Sequence, residues 1–129
     1  MKFEKIDITK ENINPFQRIG QDWMLISAER EGKVNTMTAS WGMMGVFWGK
    51  NVVTVGIRPQ RFTKEFVDAG EFFTLTFFDG ERKEEMGYLG KVSGRDEDKF
   101  QKAKIQWENA DYVDTPILTD CPVSIECSV

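Results

Sequence analysis

Apolar positions come in short runs along this chain, and most runs are β-branched or aromatic with punctuation on both sides. Asp22 to Ala28 reads as a strand. Glu29 to Lys33 is a polar turn containing a glycine, and Val34 to Trp41 reads as the returning strand, so the pair predicts a hairpin. Val52 to Arg58 and Phe72 to Phe78 are further strand runs. In the second of these, Phe73, Leu75 and Phe77 share one face, while Phe72, Thr74, Thr76 and Phe78 share the other. Both faces are expected to be at least partly covered. The last strand is Val123 to Cys127.

Helices are expected in the gaps. Thr63 is placed to cap a short helix that runs to Ala69 and ends at Gly70. Glu81 to Leu89 carries a thin apolar stripe of Met86 and Leu89. Asp96 to Ala103 opens on acids and closes near Lys102 and Lys104, the order a helix dipole favours. Hairpins with short inserted helices predict a mainly β (α+β) Greek-key barrel. No repeat, linker or low-complexity tract interrupts it, so residues 1–129 are read as one domain. The regular strand–helix alternation of a doubly wound sheet is missing.

Composition narrows the function classes. With 40% hydrophobic and 29% charged residues, a soluble globular protein is the expectation. A net charge of −4 argues against a general nucleic-acid partner. The absence of histidine excludes a Ser-His-Asp triad and a His-ligated metal. Cys121 and Cys127 cannot make a four-thiolate zinc site, so no metal is expected. On one extended strand their Cα atoms would lie about 20 Å apart, out of disulfide reach, and both would share a face with Val123 and Ile125. Met1 to Asp7 mixes charges and has no signal-peptide core, and the uncharged run from Val34 to Gly49 is too polar to span a membrane. A cytoplasmic location follows as the expectation.

Three segments offer chemistry. In Arg58-Pro59-Gln60-Arg61-Phe62-Thr63, two guanidiniums flank a proline-stiffened turn before a helix start. Helix N-termini and arginine forks both suit phosphate. The alternative is that Arg58 and Arg61 are surface charges paired with Glu65 or Asp68. In Met37-Thr38-Ala39-Ser40-Trp41-Gly42, small and hydroxyl groups beside an indole suit the approach of a flat ring; the alternative is an amphipathic strand with Trp41 in the core. Ser93-Gly94-Arg95-Asp96 leads into a helix carrying Lys99 and Phe100, which alone is only a capped helix. The GxxG spacing of Gly42 to Gly45 sits in a strand-like context and reads as accidental, and there is no GxGxxG fingerprint.

These segments come in a fixed order: Asn14-Pro15-Phe16, Asp22 to Leu25, Asn35 to Gly42, Arg58 to Thr63, and Ser93 to Asp96 with Asp98-Lys99-Phe100. In that order the chain resembles one branch of the flavin reductase-like family, from about Asn14 to Cys127. The resemblance implies a split β-barrel that binds FMN near a homodimer interface. It implies that Met37, Thr38, Ala39, Ser40 and Trp41 lie beside the flavin. Arg58, Arg61 and Thr63 would lie near its phosphate, with Ser93, Gly94 and Lys99 approaching the same site. FAD is the alternative flavin, and NADH or NADPH the transient co-substrate. Hydride transfer to flavin needs no protein acid, so no catalytic residue is assigned. Members of the family usually continue past the strand that here ends at Cys127-Ser128-Val129, so an open sheet edge is expected there. A flavin reductase is the expected activity. A non-catalytic flavin carrier or storage protein is the alternative, and a degenerate barrel without flavin is a third.

Overall fold

The computed structural model describes residues 3–78 and 80–129, so the first two residues of the charged N-terminus lie outside it. A four-stranded antiparallel sheet organises the molecule. It is built from β1 (Met24–Arg30), β2 (Lys33–Ala39), β5 (Phe72–Phe77) and β8 (Val123–Ser128), in the order β2-β1-β5-β8. The remaining strands form two hairpins, β3 (Gly42–Phe47) with β4 (Lys50–Val55) and β6 (Trp107–Asn109) with β7 (Pro116–Leu118). Short helices are inserted at α1 (Pro15–Gly20), α2 (Phe62–Ala69), α3 (Lys83–Lys91) and α4 (Lys99–Ala103). Eight strands with short helices between them match the mainly β expectation.

Period-two alternation sorts the sheet into two cores. Met24, Ile26, Ala28, Met37, Ala39, Phe73, Leu75, Phe77 and Cys127 form one face. Helix α2, through Phe66, and the β3–β4 hairpin, through Met44, Val53 and Val55, cover it. Leu25 points the other way, into a second cluster with Met86 and Leu89 of α3, Ala103 of α4 and Leu118 of β7. Strand β5 is therefore covered on both faces, as its sequence implies. Of its two buried hydroxyls, that of Thr74 donates to the Pro116 carbonyl at 2.8 Å, while Thr76 Oγ1 has no hydrogen-bond partner.

Both tight hairpins turn on a residue–glycine pair with positive φ, Glu31-Gly32 and Trp48-Gly49. The mirror-image turns that join twisted strands require this backbone. The first turn falls where the sequence puts it. The second was not foreseen, because tryptophan is an unusual occupant of a left-handed position. The run Val34 to Trp41 ends as a strand at Ala39, and the run Val52 to Arg58 begins at Lys50, just after this turn, and ends at Val55.

Other boundaries also shift. Trp23 has a φ of +68°, so β1 starts at Met24 rather than Asp22. Asn14 caps α1, accepting from the Phe16 and Gln17 amides, with Pro15 in the first turn. Asp98 caps α4, so the helix expected from Asp96 begins at Lys99 instead. The cysteines do not share a strand face. Cys127 packs in the first core and Cys121, ahead of β8, in the second. Burial pushes their thiols up to about 12 and about 11, where they stay protonated and inert.

Candidate functional site

The segment between β4 and α2 turns on Pro59 and Gln60, with the Arg61 amide donating to the Arg58 carbonyl at 3.1 Å. Arg61, not Thr63, is the N-cap of α2, and its side chain makes no capping bond. Thr63 sits one position inside the helix and is buried, because α2 packs that side onto β2. There its hydroxyl accepts from Asn35 Nδ2 at 2.8 Å. A strand amide thus fixes the helix start.

The acids nearest in sequence are already taken. Glu65 is held by Arg95 and, at 3.4 Å, by Arg30, while Asp68 is held by Lys64. The hydrogen bond from Arg95 is the largest cause holding the Glu65 carboxyl below its ordinary value. Among the described residues, no ion pair involves Arg58 or Arg61. The Arg61 Nη2 atom is buried with no hydrogen-bond partner. Burial first, and then the charge of Arg58, lower its pKa. Two guanidiniums that repel each other, one with an orphaned donor, make a place for an anion the protein does not itself supply.

The ring-side residues divide by strand face. Met37 and Ala39 are buried in the first core. Thr38 faces α3 and donates to the Met86 carbonyl. Ser40 and Trp41 lie past the end of β2 and are open, Trp41 being 63% exposed. The alternative of a core tryptophan is thereby set aside. Trp41 also meets the anion side directly. Arg58 lies over its ring at 5.9 Å, and its carbonyl accepts from the Gly56 amide at 3.0 Å. The two halves of the expected site are thus neighbours.

Gly94 packs behind the start of α2, and Ser93 holds the turn that carries it. The Ser93 hydroxyl accepts from the Arg95 amide at 3.1 Å. A Cβ on Gly94 would lie 2.2 Å from Asn35 Oδ1 and 3.2 Å from the Phe62 ring, so the glycine serves close packing. Lys99 is only 3% exposed. Its ammonium donates to the carbonyls of Thr36, 2.9 Å, and Leu89, 3.0 Å, tying β2 to the end of α3. Burial and then the Arg61 charge pull it down to about 8, with Glu97 opposing. Lys99 is a buried strut beside the anion site rather than an open cation.

The family model for the flavin reductase like domain matches residues 16–129. The chain belongs to this family. Its fold is the family's split barrel. It superposes with a TM-score of 0.77 on the FMN-binding domain of a flavin reductases-like enzyme from Shewanella baltica, at 21% identity over 88% of this chain and 59% of that one. A flavoredoxin from Methanosarcina acetivorans gives 0.72 at 25% identity, over 98% of this chain and 64% of that one. An uncharacterized protein of Aeropyrum pernix is 25% identical over 104 residues, and the match spans 80% of this chain and 39% of that protein.

For this flavin reductase-like chain, sequence reasoning missed Asn35, Glu65, Arg95 and Arg30 as supports of the site. Asn35 was legible as a polar residue on a core-facing strand position. The Glu65–Arg95 pair joins residues thirty apart and left no local signal. Among the described residues no cluster of acids and thiols could hold a metal, and no helix is long and apolar enough to cross a membrane.

Proposed function

We propose that this protein binds FMN and serves as an oxidoreductase of the flavin reductase type, with NADH or NADPH as hydride donor. One observation carries the reading: Arg58 and Arg61 stand without an acid while Glu65 and Asp68 are occupied, and a buried nitrogen of Arg61 lacks a partner. In this reading Arg58 and Arg61 bind the phosphate at the start of α2, where amides point outward. Thr63 and Asn35 hold that helix start. Ser40 and the backbone around Trp41 face the ring end, and Arg58 links the two ends through its place over the indole. Bound there, FMN would supply the hydride chemistry, and the protein would supply binding, orientation and electrostatics. The printed names of the solved relatives, an FMN-binding domain and a flavoredoxin, support the same direction.

A second reading, a flavin-binding electron carrier, is favoured by the openness of Ser40 and Trp41 in the single chain. Homodimer formation belongs to the proposal, since Val46, Phe47 and Trp48 at the β3–β4 tip are exposed. The test has two steps. Titration with FMN, FAD and riboflavin should show tight binding of FMN; no binding of any flavin to the folded protein would end the proposal. Anaerobic addition of NADH or NADPH to the FMN-loaded protein should then bleach the visible band. A band that only dithionite bleaches would leave the carrier.

A further inference from the structure

The four-stranded sheet has two edges. Strand β2 borders the proposed flavin site, and β8 is the opposite edge. Along β8 lies a cavity of about 890 Å³, within the size range of small-molecule sites. Among the described residues, none of those at the proposed flavin site lines it. The cavity follows β8 over Val123–Glu126, a span of about 10 Å at the rise of a strand. Phe78, Ile117 and Ile125 give it an apolar wall, and the N-terminal stretch adds Ile6 and Ile13. Ile6 is 51% exposed, so apolar surface is left uncovered there.

Two polar groups in this wall have nothing to bond. Arg82 Nη1 and Ser124 Oγ are both buried without a hydrogen-bond partner. They lie about the same ring. Arg82 sits 5.3 Å over Phe78. Ser124 stands opposite Thr76 in the β5–β8 register, and Phe78 is two residues on from Thr76, which makes it a diagonal neighbour of Ser124. Acids also line the cavity, yet among the described residues none pairs with Arg82. Glu126 is occupied, accepting from the Asp111 and Tyr112 amides at 3.2 and 2.9 Å. Glu4, Glu81, Asp111 and Asp120 are exposed, where water and salt screen them. An orphaned guanidinium nitrogen is the same signature that Arg61 carries at the other edge of the sheet.

We propose that this cavity is a second ligand site, which takes an aliphatic monocarboxylate of medium length. The carboxylate accepts from the Arg82 guanidinium and the Ser124 hydroxyl. The chain lies extended along β8, against Phe78, Ile117 and Ile125, and Ile6 covers it from the other side. The inference does not rest on the FMN reading, since the two sites share no residue.

Calorimetric titration of the FMN-loaded protein with decanoate, hexanoate and decylamine tests it, and the free protein serves equally if no flavin binds. Decanoate should bind, with hexanoate weaker by about tenfold or more, because four methylenes leave the apolar wall. Decylamine should also be weaker by about tenfold or more, since its cation meets Arg82. Arg82 makes no capping bond to α3, so Arg82→Met, which keeps the length and removes the charge, should fold, as a melting curve will show. It should weaken decanoate by about tenfold or more. Arg82→Lys should lose less, and Ser124→Ala about threefold. A wild type that ignores decanoate or prefers the amine would overturn the inference. So would a folded Arg82→Met that holds decanoate as tightly as the wild type. Decanoate that releases FMN, read as recovery of flavin fluorescence, would place the acid at Arg58 and Arg61 instead, and overturn it too.

Discussion

The two ends of the proposed flavin site are built in opposite ways. Around Arg61 the chain closes its own accounts: Glu65, Asp68, Asn35, Thr63 and the Gln60 carbonyl all have partners. What is left over is positive charge and an orphaned donor. Around Trp41 and the β3–β4 hairpin, apolar surface is left over instead. Trp48 is 91% exposed and holds a left-handed backbone, φ +51°, that a bulky residue rarely adopts. One end calls for an anion and can be completed by a small molecule. The other calls for apolar cover, and a second copy of the chain is the proposed source. The contrast explains why, in a single chain, the proposed phosphate end is enclosed while the proposed ring end is left open.

The comparison is most exposed to failure at the hairpin. Trp48→Asn should keep or improve the turn, because asparagine before glycine favours this backbone. It should also weaken self-association by about 2 kcal/mol or more, roughly thirtyfold, if the indole is an interface anchor. Sedimentation over a concentration series measures this. An unchanged association constant would remove the hairpin from the interface, and a wild type that is monomeric throughout would remove the dimer. At the other end, Arg61→Ala should cost FMN about 1.5–3 kcal/mol, or ten- to a hundredfold, and spare riboflavin. Equal losses for the two ligands would mean that the guanidinium does not hold phosphate.

A smaller effect tests the packing that joins the two ends. Gly94→Ala places a Cβ against Asn35 Oδ1, and either the turn or the Asn35–Thr63 bond must move. A loss of about 1–3 kcal/mol in urea unfolding is expected for such overpacking. An unperturbed variant would show either that the turn shifts freely or that the Asn35–Thr63 bond is not needed to hold α2.

Most of the sheet was legible because alternation and β-branched content report strand faces directly. Phe73, Leu75 and Phe77 lie where that pattern puts them. The short pieces were not: β6 and β7 have three residues each, too few to show a period. The site was legible as two segments, but not as a division of labour within them. Met37 and Ala39 fall on the core face by the same alternation that leaves Thr38 to α3. The choice between free and paired arginines could not be made from Arg61 and Glu65 alone. It is decided by Arg30 and Arg95, which only the tertiary fold brings near.

Lys99 provides the finest test of how the anion end is wired. Its ammonium is buried against two backbone carbonyls, and its pKa falls from the ordinary 10.5 to about 8. The cation is thus disfavoured in the folded state. Below about pH 8 both folded and unfolded chains carry the proton, and the full cost is present. Between about 8 and 10.5 the unfolded chain binds more protons, so stability rises with pH across that window. The gain relative to Lys99→Met should not exceed about 1.4 kcal/mol per pH unit. It can be read from urea unfolding of both proteins between pH 7 and pH 10. Burial is the first cause of the shift and the Arg61 charge the second. In an Arg61→Ala background the window should therefore narrow, with its lower edge moving up. A wild-type advantage that stays flat with pH would mean that Lys99 keeps an ordinary affinity for its proton. In that case the carbonyls of Thr36 and Leu89 compensate fully for its burial.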